Sequence, residues 1–255
     1  MIDEEIERLL SDILSGIRRT LGDRLVGLYL YGSVATDGFE PGISDVDLLA
    51  ATDGEVTADD LEHLEKMHAE LVRRFPAWDD RIEVIYYSVE ALGSYKQRRS
   101  PIAVISPGEP FHTIEADKEW LLNWYFVQDY GITLFGPSPR TFIDPISKDE
   151  FIRAVVHHAH QWPEWMPNTR HSRPYQSYAV LTMCRSLYTY KHGQQVSKKQ
   201  AAHWAQKELP QWATLIQAAL EWRLTARLPE PVDHEATYPQ ARRFVHYVSD
   251  LLGPE

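Results

Sequence analysis

Three acidic residues and one glycine–serine pair are the parts of this chain best suited to chemistry. Asp45 and Asp47 stand two apart in SDVDLLA, where charged and apolar residues alternate. On a strand, residues two apart project from the same face, so both carboxylates share one side while Val46 and Leu48 go to the other. Upstream, the apolar run LVGLYLY at 25–31 breaks at Gly32-Ser33. A glycine–serine turn lets backbone amides approach a phosphate with no Cβ in the way. Paired carboxylates beside such a turn suit a site that holds Mg²⁺ against a phosphate, because a hard divalent ion prefers carboxylate oxygens, water and substrate phosphates. The third acid, Glu83, lies in IEVIYYS at 82–88. Alternation there puts Glu83, Ile85 and Tyr87 on one face and Val84 and Tyr86 on the other. A carboxylate in an apolar strand is costly unless it has a task or a partner, which adds Glu83 to the acidic set. Arg81, two residues away on the same face, is the alternative explanation: an ion-pair partner.

The elements that must hold these residues follow from periodicity and punctuation. Apolar residues at helical spacing (Ile6, Leu9, Leu10, Ile13, Ile17) predict a helix over 3–21, ended by Gly22. Strands follow at 25–31 and through the Asp45–Asp47 stretch. Thr57 caps a helix over 58–75, with Leu61, Leu64, His68, Leu71 and Phe75 inward and His63 and His68 as surface or packing residues. A strand at 82–88, a short strand at 102–105, a loop at 106–110, an aromatic helix at 117–130 and a last strand at 132–135 complete the first half. The proline-rich GPSPRTFIDP reads as a connector between domains. Beyond it only helices are expected, over 148–161, 177–191, 198–208, 211–228 and 238–252. The expected architecture is an α/β N-terminal domain (1–146) with a small mixed sheet, followed by an all-α C-terminal helical bundle domain (147–255).

Composition narrows the classes. The 255 residues are 44% hydrophobic and 25% charged, as in an ordinary globular protein. No stretch approaches the roughly 20 consecutive apolar residues that span a bilayer. The N-terminus reads as an acidic amphipathic helix rather than a signal peptide. A single cysteine, Cys184, excludes an internal disulfide and suits a reducing cytoplasm. The net charge of −11 is unevenly spread: residues 1–150 hold 14 Lys and Arg against 29 Asp and Glu, and residues 151–255 hold 12 against 8. Nucleic-acid binders carry a basic footprint, so a polymerase is disfavoured. An acidic half bearing the site suits a small cationic substrate.

Gly32-Ser33 followed by Asp45-Val46-Asp47 resembles the signature of the polymerase-β-type nucleotidyltransferases. The segment AVLTMCRSLYTYKHGQQVSKKQAAHWAQKELP at 179–210, the closing FVHYV at 244–248 and LFGP at 134–137 are similar to the streptomycin/spectinomycin (aminoglycoside) adenylyltransferases. The resemblance covers most of the chain. It implies ATP as co-substrate, Mg²⁺ as cofactor, and a small cationic acceptor bearing a hydroxyl. Gly32 and Ser33 would contact nucleotide phosphates, Asp45 and Asp47 would hold the metal, and Glu83 would be the catalytic base or a further metal ligand. Arg185 and Lys198 would reach across an interdomain cleft to the triphosphate. Charge favours the same two residues, since cations for a polyphosphate must come from the positive half. Lys198 also follows Ser197, a plausible helix start where the dipole favours phosphate; Lys199 is its rival. A monomer with no nucleic-acid or membrane partner is expected.

The chain departs from the family in two places. Pro110-Phe111 stands where a substrate-recognising tryptophan is expected, and Tyr175-Gln176-Ser177-Tyr178 where an aspartate precedes the VLT helix. Glu109, Glu115, Asp117 and Glu164 are alternative contacts for ammonium groups, and Trp162 and Trp165 could stack on a sugar. His157, His158, His160 and His171 lack ligand-like spacing for zinc and read as cleft or surface residues. Two rivals remain: an adenylyltransferase for another small molecule or a protein, and a nucleotide-binding regulator of the same fold.

Overall fold

The computed structural model describes residues 4–36, 38–224 and 233–253, and the chain divides into two compact units, Met1–Ile146 and Ser147–Glu255. Chain order in the first unit is α1 (Glu4–Leu21), β1 (Leu25–Tyr31), α2 (Gly32–Ala35), β2 (Val46–Thr52), α3 (Ala58–Arg74), β3 (Ile82–Ser88), α4 (Val89–Leu92), β4 (Ser100–Ser106), β5 (Glu109–Ala116), α5 (Leu121–Tyr130) and β6 (Ile132–Phe135). The six strands form one mixed sheet in the order β5-β4-β3-β2-β1-β6. Only β2 and β3 pair in parallel, and α3 is the crossover between them. Parallel neighbours need such a long connection, whereas the antiparallel pairs do not.

The period-two pattern of each central strand divides its side chains between two faces. On one face Leu28, Leu30, Val46, Leu48, Ala50, Val84 and Tyr86 join Ile6, Leu9, Ile13 and Ile17 of α1 and Leu64 and Leu71 of α3 in a common core. The capping box at Thr57 and Asp60 starts α3. His68 of α3 is buried, and its Nε2 lies 2.7 Å from the Tyr86 hydroxyl. Burial lowers its pKa to about 4, so it packs as a neutral imidazole. The opposite face carries Tyr31, Asp47, Glu83 and Tyr87, and α5 lies there: Trp124 stacks on Tyr87 at 5.4 Å and Asn123 reaches Tyr31.

The structure corrects the reading of residues 100–120. A hairpin replaces the expected loop, with β4 extending to Ser106 and β5 beginning at Glu109 around Gly108 (φ +80°). Most residues of β5 are exposed or half-exposed at the sheet edge, so no apolar alternation marks it. Residues 118–120 form a 3₁₀ turn capped by Asp117, and α5 starts only at Leu121. The proline-rich segment is no free connector either. It contains a 3₁₀ turn at Pro139–Thr141, buries Ile143, and donates from Asp144 N to Leu92 O.

The second unit is a helical region of α6 (Lys148–Trp165), α7 (Arg173–His192), α8 (Lys198–Glu208), α9 (Ala213–Leu224) and α10 (Tyr238–Leu251). Its core joins Val156, Ala159, Val180, Met183, Cys184, Leu187, Ile216, Phe244 and Val248. Helix α7 is buried along most of its length, as expected of a helix flanked by others on several sides. Ser147, Ser172 and Ser197 cap α6, α7 and α8, and Gly193 closes α7 in the left-handed conformation (φ +62°). Helix α6 continues past Gln161 through Pro163, and α7 begins four residues before the expected Ser177. The expected helix over 211–228 starts at Ala213; its residues 225–228 lie outside the described ones. Among the described residues no helix is long and apolar enough to cross a membrane.

Candidate active site

The acidic residues meet on the α5 face of the sheet. In the ladders, Asp47 pairs with Tyr31 on the antiparallel side and with Glu83 on the parallel side. Asp45 stands just before β2, two residues from Asp47. Its position is held from behind: the buried Arg81 donates to Ser44 O and Ala77 O, and Arg81 O accepts from Val46 N. Its guanidinium lies 4.4 Å over the Trp78 ring. The expected alternative, an ion pair between Arg81 and Glu83, is therefore not what this arginine does. It anchors the backbone that presents Asp45.

Glu83 has hydroxyls for partners. Its Oε1 accepts from Tyr31 OH at 3.0 Å and its Oε2 from Ser106 Oγ at 2.9 Å. Asn123 Nδ2 donates to Tyr31 OH at 3.3 Å, which leaves the tyrosine proton for Glu83. Burial is the main influence on the carboxyl and raises its pKa. The two hydroxyls oppose that shift, while the charges of Asp45 and Glu109 add to it. Tyr31 is itself pushed well up by burial and by Glu83 and Asp47, so it stays a donor. Tyr31, Ser106 and Asn123 were invisible to sequence reasoning, because Tyr31 and Ser106 reach Glu83 only through pairing between distant strands and Asn123 reaches Tyr31 from α5.

At the end of β1 the chain turns through Gly32 (φ +70°), where a Cβ would collide with the Asp47 carboxylate. Only glycine lets the turn pass this close to the acid. The next residue, Ser33, has a buried hydroxyl with no hydrogen-bond partner among the described residues. Buried polar atoms are normally satisfied, so this hydroxyl is one that a ligand oxygen could satisfy.

Asp45 and Asp47 offer hard oxygen donors that fit Mg²⁺, an ion commonly held by one or two carboxylates with water and substrate phosphates completing its shell. The expected three-acid ligand set is not preformed. Among the described residues no group of three His, Cys, Asp or Glu side chains is gathered to hold a metal, and both Glu83 oxygens are engaged by hydroxyls. Of the other acids proposed as ammonium contacts, Asp117 is paired with Arg99, and Glu109 faces Ser106 across the hairpin with its charge felt at Glu83.

In the helical region Lys198 is the first residue of α8, directly after the N-cap Ser197 and inside the capping box that Ser197 forms with Gln200, and is half-buried where Lys199 is exposed. Its Nζ lies 4.0 Å from the centroid of the Tyr178 ring. Arg185, on α7, is near enough to act on His158, which burial first and Arg185 second hold down to about 4. The histidines have separate surroundings. His160 bonds Ser249 Oγ and Gly253 O, His158 packs on Trp162 and Trp165, and His171 pairs with Glu235. Gln176, one of the departures from the family pattern, is buried and bonds Thr169 O, His234 O and Thr237 Oγ1. It ties α7 to the segment before α10.

A mixed sheet that presents paired aspartates and a neighbouring glutamate beside a Gly-Ser turn defines a nucleotidyltransferase. The nucleotidyltransferase domain model matches residues 11–97, and that of the aminoglycoside adenylyltransferase C-terminal domain matches residues 141–250. An aminoglycoside (3'') (9) adenylyltransferase of Escherichia coli is 27% identical over 264 residues, covering 96% of this chain and 94% of that protein. The one from Rhizobium radiobacter is 27% identical over 228 residues, covering 81% and 78%. The fold is shared with a crystal structure of spectinomycin adenyltransferase from Enterococcus faecialis, solved with ATP and spectinomycin (TM-score 0.75, 16% identity, 97% of this chain and 99% of that one). The chain thus combines a nucleotidyltransferase domain with a C-terminal domain like that of the aminoglycoside adenylyltransferases, and is an enzyme of the nucleotidyltransferase class.

Proposed function

We propose that this enzyme transfers AMP from ATP to a hydroxyl of an aminoglycoside-type antibiotic, of the streptomycin or spectinomycin kind, and so confers resistance. The setting of Glu83 carries the reading: a carboxylate with a raised pKa, aimed by Tyr31 and Ser106, in register with Asp47. Such a group is suited to take the proton of an acceptor hydroxyl. The acceptor oxygen then bonds to the α-phosphorus, the bond to the β-phosphate oxygen breaks, and pyrophosphate leaves. Gly32 and Ser33 lie against the phosphates, and the Ser33 hydroxyl finds its partner there. Asp45 and Asp47 would hold Mg²⁺, which when bound neutralises the triphosphate and the charge that develops on the leaving group. Arg185 and Lys198 add positive charge to the triphosphate.

The test is pyrophosphate release with ATP and Mg²⁺ across a panel of aminoglycosides that includes streptomycin and spectinomycin. Release that depends on one of them, with an adenylylated product of matching mass, is expected. Absence of adenylylated product with every member of the panel refutes the acceptor class. A second reading keeps adenylyl transfer but changes the acceptor to another small hydroxyl compound. It is favoured by Phe111, which packs on His68 and Tyr86 at 5.9 and 5.8 Å rather than replacing a substrate-recognising tryptophan.

A further inference from the structure

The departure from the family pattern at Tyr178 has a structural counterpart. Tyr178 and Lys198 are 20 residues apart, yet the Lys198 ammonium sits 4.0 Å from the Tyr178 ring centroid. The ring is itself held. Trp162 packs against it at 5.7 Å, and Trp162 in turn meets Trp165 at 5.5 Å and His158 at 6.2 Å. Trp162 is nearly fully buried, whereas Tyr178 keeps 45% of its surface exposed. The anchored end of this aromatic chain is buried, and the open end meets the cation. His158, at the anchored end, also feels the charge of Arg185, so both cations assigned to the triphosphate border one aromatic cluster.

An aromatic face attracts an ammonium through its quadrupole without cancelling its charge. A carboxylate at the same place would neutralise the lysine and compete with phosphate for it. A lysine left in solvent would surrender the freedom of four rotatable bonds when it engaged a ligand. A ring contact therefore restricts the lysine while leaving its charge in place.

We propose that Tyr178 is a positioning residue for Lys198, ordering the ammonium that engages the ATP phosphates. The inference rests on the assignment of Lys198 to the triphosphate made above, and goes one step further by naming the device that orders it. Tyr178 acts through Lys198 and not on the acceptor.

The experiment measures binding of a non-hydrolysable ATP analogue with Mg²⁺ by calorimetry, which does not depend on knowing the acceptor. Tyr178→Leu, at a half-exposed site, should weaken binding by about 3- to 10-fold. Tyr178→Phe, which keeps the ring, should stay within about twofold of the parent protein. On a Lys198→Ala background, Tyr178→Leu should add nothing, because the group it positions has gone. Tyr178→Gln provides a second ring deletion if the leucine variant melts early. Unchanged binding in both ring deletions, beside a clear loss in Lys198→Ala, overturns the positioning role and leaves the triphosphate role intact. No loss in Lys198→Ala overturns the triphosphate assignment itself. Full additivity of the two changes also overturns the proposal. So does a raised acceptor KM with unchanged nucleotide binding, which would make Tyr178 an acceptor contact.

Discussion

Replacing Glu83 by glutamine removes one charge and one proton-accepting site while keeping the shape of the side chain. The amide oxygen can still accept from Tyr31 OH, and Ser106 can rotate its hydroxyl to accept from the new NH₂ group, so both contacts of the parent survive in form. ATP binding should stay within a few-fold of the parent. A general base contributes about 10²- to 10⁴-fold to a transfer step, equivalent to about 2.7–5.4 kcal/mol of barrier. Adenylyl transfer should fall by that factor. The parent rate should climb with pH on an acid limb that lies above the ordinary glutamate range, since burial raises the Glu83 pKa, and the variant should lack that limb. Stability should change in the opposite sense. A carboxyl whose pKa is higher in the folded than in the unfolded state binds more protons when folded, so parent stability falls as pH rises from the ordinary glutamate pKa through the raised one. The glutamine variant has no such proton to lose, and above that window it should melt at or above the parent temperature. Rapid-quench transfer assays and thermal melts across pH 4–8 test both halves. Transfer within tenfold of the parent, or an unchanged acid limb, refutes the assignment of Glu83 as base.

Three further substitutions probe the site. Asp47→Asn should abolish Mg·ATP-dependent transfer with an unchanged circular dichroism spectrum, and wild-type turnover would remove Asp47 from the metal-binding pair. Gly32→Ala combines a positive φ with a collision at the Asp47 carboxylate; a loss of about 1–3 kcal/mol in stability and a steep loss of transfer should appear together, and a fully active variant would contradict the close approach. Tyr31→Phe deletes one of the two donors to Glu83, which should shift the acid limb of the rate profile upward because a bond to the charged form is lost. An unmoved limb would mean that the hydroxyl does not tune the carboxylate.

Much of the first unit was readable because its central strands obey the period-two rule without interruption. The limits expected for the strands at 25–31, 82–88 and 132–135 coincide with those observed, and Thr57 marks the start of α3 as a capping residue should. Where periodicity weakened, the reading weakened with it. The edge strand β5 has no buried face to impose alternation, and the proline-rich segment spells a linker in composition while its Ile143 packs into the first unit.

The sequence alone singled out the acidic residues. Spacing put two aspartates on one face, apolar neighbours made Glu83 conspicuous, and Gly32 announced a turn that excludes side chains. Local periodicity suffices for such statements, since each concerns residues a few positions apart. Tertiary structure decided how each group is held. Parallel pairing of β2 and β3 set Glu83 beside Asp47, and the β3–β4 pairing brought Ser106 to its carboxylate. Arg81, which the sequence offered as a partner for Glu83, proved instead to brace the backbone at Ser44. In the helical region, helix packing laid the Lys198 ammonium on the ring of Tyr178. Partners 20 to 92 positions apart are chosen by sheet register and helix packing, which no local pattern encodes.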